Sequence, residues 1–162
     1  MPLAKLNTPE TRANTGANHT AVLRASASTA IPARFIVRAT PIAKPRMTRQ
    51  DKWKQRPAVM RYRSFADEVR LAVGRTTKLD IAPLRLDWIA YLPMPASWSK
   101  RKREQMRGQP HRAKPDRDNI DKGIMDALFT DDSAVAQGRM AKYWDDGNGP
   151  RIEVSLLWEA EA

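Results

Sequence analysis

Two stretches of strict alternation constrain this chain more than any other feature. Leu84, Leu86, Trp88, Ala90 and Leu92 alternate with Arg85, Asp87, Ile89 and Tyr91, and Ile152, Val154, Leu156 and Trp158 repeat the pattern near the C-terminus. A period of two sends successive side chains to opposite faces, so both stretches predict strands. The run Phe35–Ala39 predicts a further strand at the start of the folded part, and Val135–Tyr143 predicts one late in the chain. Between the last two strands, Asp145-Asp146-Gly147-Asn148-Gly149-Pro150 has the composition of a hairpin-type turn.

Helical spacing fills the gaps. Tyr62, Phe65, Ala66, Val69 and Val73 form one stripe between Pro57, which suits a first helical position, and Gly74, which suits an end. Such a stripe is ordinary core packing. Ser97 or Ser99 can cap a short helix over Lys100–Met106, closed by Gly108. A third helix is predicted from about Asn119 to Leu128, with Ile120, Ile124, Ala127 and Leu128 inward and Asp116 or Asp118 at its cap. The order β-α-β-α-α-β-β predicts a single small α+β domain, with a mixed or antiparallel sheet of about four strands and two to three helices on one face.

A chain of 162 residues suits one domain with a modest core. Residues 1–32, rich in Ala, Thr, Asn and Ser, read as a flexible arm, and 33–162 as the folded domain. The arm's Arg, Ser and Ala content leaves a mitochondrial-type targeting peptide open, although no amphipathic helix stands out. The N-terminus has no apolar signal region and no apolar run approaches a membrane span, so the expected location is the cytoplasm, with no membrane partner. Cysteine is absent, which excludes disulfides and thiolate metal sites.

Charge says what the partner is. The net charge is +11, which calls for a polyanion. Residues 1–115 carry 24 Lys/Arg against 7 Asp/Glu, whereas residues 116–162 carry 5 against 11. Lys44, Arg46, Arg49 and Lys52 lie in an exposed loop with two prolines, and Lys100, Arg101, Lys102 and Arg103 form a run no helix can bury on all sides. These eight are the candidate phosphate contacts.

The acidic surplus is concentrated. Six aspartates and no glutamate fall in the 17 residues from Asp116 to Asp132. Short carboxylates close to the backbone suit the tight octahedral shell of Mg²⁺. Asp116 and Asp118, two apart, share a side in an extended segment, and Lys122 lies one helical turn beyond Asp118. Each piece alone also has an ordinary use: Asp116 or Asp118 as a cap, Asp131-Asp132 as a solvated turn, Lys122 as half of a weak surface pair.

As a set, these residues resemble the RusA family of Holliday junction resolvases. The resemblance rests on Pro93-Met94-Pro95-Ala96-Ser97-Trp98-Ser99 with the basic run after it, Gly108-Gln109-Pro110-His111, Lys114-Pro115-Asp116-Arg117-Asp118-Asn119, Lys122, Asp126-Ala127-Leu128 and Asp131-Asp132-Ser133-Ala134-Val135. It spans roughly residues 35–158 and is densest over 93–135. It implies three metal-binding aspartates at Asp116, Asp118 and Asp132, a catalytic lysine at Lys122 and a supporting role for Asn119. The spacer between Asp126-Ala127-Leu128 and the Asp-Asp pair is shorter than in some members, which leaves Asp131 as the alternative third ligand. The expected activity is Mg²⁺-dependent endonucleolytic resolution of branched double-stranded DNA by a homodimer in recombination and repair, with Mn²⁺ as a possible substitute. The alternatives are a nuclease for other branched nucleic acids and a catalytically silent DNA-binding protein.

Overall fold

A computed structural model describes residues 32–75 and 78–158. The predicted arm therefore lies outside the described residues, apart from its last residue. The elements run β1 (Pro32–Val37), a 3-10 turn (Arg49–Lys52), α1 (Pro57–Ala72), β2 (Arg85–Leu92), α2 (Lys100–Met106), α3 (Arg117–Leu128), β3 (Met140–Trp144) and β4 (Arg151–Leu157). The predicted order and the α+β class hold.

The sheet has the order β1-β4-β2-β3. β4 pairs antiparallel with β1 and with β2, while β3 pairs parallel with β2. The segment from Asp145 to Pro150 is thus not a hairpin turn: β2 lies between the two strands it connects. A sequence of turn formers shows that the chain reverses, not which strand lies alongside. The connection crosses the end of β2, where the Asp145 N–H donates to the Leu92 carbonyl at 2.8 Å. It is held by Arg151, which pairs with both oxygens of Asp146 and lies over the Tyr91 ring. Gly147 and Gly149 adopt positive φ there, and their N–H groups donate to the Asp145 carboxylate.

Two boundaries also move. β1 starts at Pro32, not Phe35, because Pro32, Ala33 and Arg34 pair with Leu157, Leu156 and Ser155 despite weak strand propensity. β3 starts at Met140, not Val135, because the segment before it runs irregularly beside β2. There the Asp87 carboxylate takes the Arg139 N–H at 2.8 Å.

The alternation then does what it predicted. Ala33, Phe35 and Val37 of β1, Leu86, Trp88, Ala90 and Leu92 of β2, and Ile152, Val154 and Leu156 of β4 face the helices. α1 contributes Tyr62, Phe65, Ala66 and Val69, and α3 contributes Ile120, Ile124, Ala127 and Leu128. α2 buries nothing and is anchored by its neighbours. Trp98, just before it, packs on Trp144 with ring centroids 4.8 Å apart.

Because β2 and β3 are parallel, their connection must be a crossover, and α3 is the part of it that covers the sheet. Its start is tied to α1's side of the core by the Lys44 N–H, which donates to the Asn119 carbonyl at 3.0 Å. This approach is close. A methyl on Gly123 would sit 3.2 Å from the Ile42 carbonyl oxygen.

The tightest point is Gly138, where an added Cβ would stand 2.6 Å from the Leu86 carbonyl oxygen. Backbone, not a flexible side chain, would have to give way. Gly138→Ala is expected to destabilise the fold by about 1–3 kcal/mol, read as a lower urea midpoint with an unchanged m-value; an unchanged midpoint would mean that this segment does not hold the close approach in solution.

Candidate active site

The candidate residues gather at the start of α3 and in the loop beyond its end. Asp116 occupies the N-cap position with extended backbone, yet its carboxylate makes no cap hydrogen bond. The ordinary use of an aspartate here is therefore not the one this residue serves. The loop leading to it is braced by Lys142 of β3, whose ammonium donates to the carbonyls of Ala113 at 2.5 Å and Pro115 at 2.6 Å. The Lys114–Pro115 peptide within that loop is cis.

Asp118 lies in the first turn of α3, and Lys122 returns to it one turn later, with 3.6 Å between ammonium and carboxylate. Both are well exposed, at 67% and 60%. The pair contributes little to stability at such exposure. Asn119 is partly buried and takes part through its backbone carbonyl.

Asp121, not among the predicted site residues, turns out to be the link between this edge and the core. Its carboxylate accepts a hydrogen bond from the Trp88 indole N–H at 2.7 Å. Burial raises its pKa first; the Trp88 bond and Arg117 oppose this, and the charges of Asp132 and Asp118 raise it further. Asp118, Asp121 and Asp132 thus share one electrostatic neighbourhood, although α3 and the following loop separate them in sequence. Trp88 carried a usable signal, since a buried indole N–H needs an acceptor. Lys142 carried none.

The Asp131-Asp132 pair divides. Asp131 accepts the Ser133 N–H at 2.9 Å in a local turn, which lowers its pKa. Asp132 is exposed, and its backbone carbonyl accepts from the Val135 N–H, with no side-chain hydrogen bond among the described residues. Asp126 pairs with Lys44 and, after burial, helps push the Tyr62 hydroxyl up to about 12. His111 is buried against Trp144 at 4.0 Å, and burial lowers its pKa, so it is a neutral packing residue at pH 7. Among the described residues, no three His, Asp or Glu side chains already converge at metal-ligating distance.

The predicted basic residues occupy two patches. Arg46 and Arg49 are exposed in the loop before α1, and Lys100, Arg101, Lys102 and Arg103 are exposed on α2. Lys102 lies over the Trp98 ring, and Arg103 donates to the Ala96 and Trp98 carbonyls. Lys44 is engaged by Asp126. Lys52 closes the 3-10 turn, and its side chain lies outside the described part.

A family model described as endodeoxyribonuclease RusA matches residues 37–157. The chain belongs to the RusA endodeoxyribonuclease family. The match takes in every element from the end of β1 through β4, so the carboxylate edge sits inside the RusA domain rather than beside it. A similar protein is the "Uncharacterized protein YqaN" of Bacillus subtilis (strain 168), 32% identical over 110 residues, or 62% of this chain and 75% of that one. No solved structure matches. No helix among the described residues is long and apolar enough to cross a membrane.

Asp121 gives a pH test of the carboxylate neighbourhood. Its folded pKa is raised, so the folded state binds more protons than the unfolded one between the ordinary carboxylate range and that raised value. Stability is therefore lost as pH rises through this window, and the cost is absent below it. Asp121→Asn keeps an acceptor for the Trp88 indole and removes the charge. Its melting temperature without divalent cations is expected to match wild type near pH 3 and to exceed it at neutral pH; an equal or lower value at neutral pH would show that the half-buried Asp121 charge costs the fold nothing.

Proposed function

We propose that this protein is a divalent-metal-dependent nuclease that resolves four-way DNA junctions by paired nicks, in recombination and repair. The observation that carries the proposal is an N-cap Asp116 with no capping bond, followed one turn on by the exposed Asp118–Lys122 pair, inside a RusA-family domain. The donor set fits a hard cation: it is all oxygen, short, like-charged and exposed enough to close on one. Asp116, Asp118 and Asp132 would hold it. Asp132 is favoured over Asp131 because the Asp131 carboxylate is occupied by Ser133. Mg²⁺, with Mn²⁺ as substitute, would supply Lewis acidity at the scissile phosphate.

The chain's own residues do the rest. Lys122, one turn above Asp118, places a cation where negative charge grows on the phosphoryl oxygens. Lys142 fixes the loop that delivers Asp116. Asp121, tied to Trp88, keeps α3 in register with the sheet. Arg46, Arg49 and the α2 cations hold the flanking phosphates.

Two matched nicks call for two sites related by the substrate's symmetry, which a homodimer provides. The outer face of the sheet suits a second copy. Ile36, Glu153 and Ile89 form one row across β1, β4 and β2, and Arg34, Ser155 and Asp87 form the next. Exposed isoleucines beside charges of both signs make the self-complementary patch a two-fold contact needs. The rival readings are a nuclease for other branched nucleic acids and a silent DNA-binding protein, and the same experiment separates them.

Purified protein incubated with a labelled four-way junction and a linear duplex is expected to give paired symmetric nicks in the junction alone. EDTA or Asp118→Asn should abolish them, and Ile89→Glu should leave single, unpaired nicks. Junction binding without cleavage in Mg²⁺ or Mn²⁺ would establish a silent binder, and preference for flaps or forks would establish the other nuclease. Paired nicks by Ile89→Glu would place the dimer contact elsewhere.

The phosphate-binding cations have their own signature. Replacing Arg46, Arg49, Lys100 and Arg101 by Ala should flatten the dependence of log affinity on log salt by roughly one unit for each cation removed. An unchanged slope would make them solvated surface.

A further inference from the structure

The segment from Lys44 to Arg56 contains an exposed tryptophan that packing does not explain. Trp53 is 86% exposed, the most exposed large apolar side chain among the described residues. Exposed loops usually carry such a group on a mobile tip, but this one is braced from within. Asp51, only 4% exposed, sits at its centre. Its carboxylate takes the Thr48 N–H and hydroxyl and two guanidinium nitrogens of Arg56, which hold it deprotonated well below the usual carboxylate range. Arg56 donates also to the Arg46 carbonyl, and Arg63 of α1 to the Asp51 carbonyl. The Trp53 N–H closes the 3-10 turn on the Gln50 carbonyl.

The result is a short platform that directs an indole into solvent. Its surroundings are cationic: six Lys/Arg and one acid occupy residues 44–56, and that acid is consumed by the bracing. Arg46, Arg49 and Lys54 are exposed around it. The platform is joined to the carboxylate edge, since Lys44 at its root donates to the Asn119 carbonyl in the first turn of α3. An indole projecting from a braced backbone among exposed cations matches the chemistry of an unstacked base, whose π-face stacks irrespective of sequence.

Resting on the nuclease reading above, we propose that Trp53 is a stacking platform for a base unpaired at or beside the branch point, so that it selects opened DNA over continuous duplex. Duplex offers phosphates to the same cations but no free base face.

The test uses the full chain with Mg²⁺ replaced by Ca²⁺, so that binding is read apart from cleavage, and carries 2-aminopurine at the branch point of a four-way junction. Trp53→Ala is expected to weaken junction binding roughly five- to a hundredfold, with linear-duplex binding unchanged and the 2-aminopurine signal on binding abolished. Trp53→Phe should restore most of both. Trp53 makes no side-chain hydrogen bond among the described residues, and an unchanged melting temperature confirms that each variant is folded. Equal losses on junction and duplex, an unchanged 2-aminopurine response, or a change only in oligomeric state would each overturn the proposal. Wild-type protein that binds no branched DNA would instead remove the nuclease reading, whatever the variants do.

Discussion

The parallel pairing of β2 with β3 is the constraint on which the rest depends. Antiparallel neighbours can be joined by a tight turn, but parallel ones need a connection that returns the chain to the same end of the sheet. Here that return spans residues 93–139, and it holds α2, the loop before Asp116, all of α3 and the Asp131-Asp132 turn. Every predicted metal ligand and the candidate lysine therefore sit on a single excursion. The excursion is anchored to the sheet at both ends and by the Trp88–Asp121 bond in its middle. Buried Ile120, Ile124, Ala127 and Leu128 fix the rotation of α3, and that rotation leaves Asp118 and Lys122 outward.

Such an edge is costly to assemble. Asp121 shows it directly: a half-buried carboxylate with two like charges near it is held partly by an indole donor and still has its pKa raised. A sheet-facing position filled by an aliphatic residue would pack better and repel nothing. Retaining a buried charge at Asp121 with further carboxylates along the same edge makes sense where a cation is to be received, because the attraction then falls where the fold has already accepted the cost of the charge. The acidic edge is also set within a strongly basic chain, so its charge is locally opposite in sign to that of the molecule as a whole.

The architecture was legible where side-chain periodicity reports burial. Alternation marked β2 and β4, and the stripes of α1 and α3 fell on the residues that are buried. Strand adjacency was not legible, because Asp145–Pro150 has hairpin composition whether its strands pair or bracket a third. The start of β3 was misplaced for a related reason: Val135 to Arg139 has strand-like content, but the Asp87 carboxylate captures the Arg139 N–H that a regular ladder would use. At the site, sequence spacing foresaw the approach of Lys122 to Asp118, since one helical turn settles it. The contact of Asp121 with Trp88 spans 33 positions and depends on how the crossover packs, which no local pattern records. The pairing of Lys44 with Asp126 was likewise not legible, because the two are distant in sequence.

Position in the fold also separates the two basic patches by what they can contribute. On α2 the cations stand on a helix that buries nothing, and Lys102 and Arg103 are partly engaged by Trp98 and nearby carbonyls. That arrangement supplies charge and little shape. The loop before α1 has fewer cations spread over a braced frame with a buried acid at its centre. Ordering a loop costs conformational entropy, about 1–2 kcal/mol per residue fixed, and charge alone gains nothing from that order because long flexible side chains reach phosphates from a mobile loop equally well. The bonds of Asp51 with Arg56 and Arg63 instead fix the stretch of backbone from which the Trp53 indole projects, so the order in this loop serves the position of that ring rather than the charge around it.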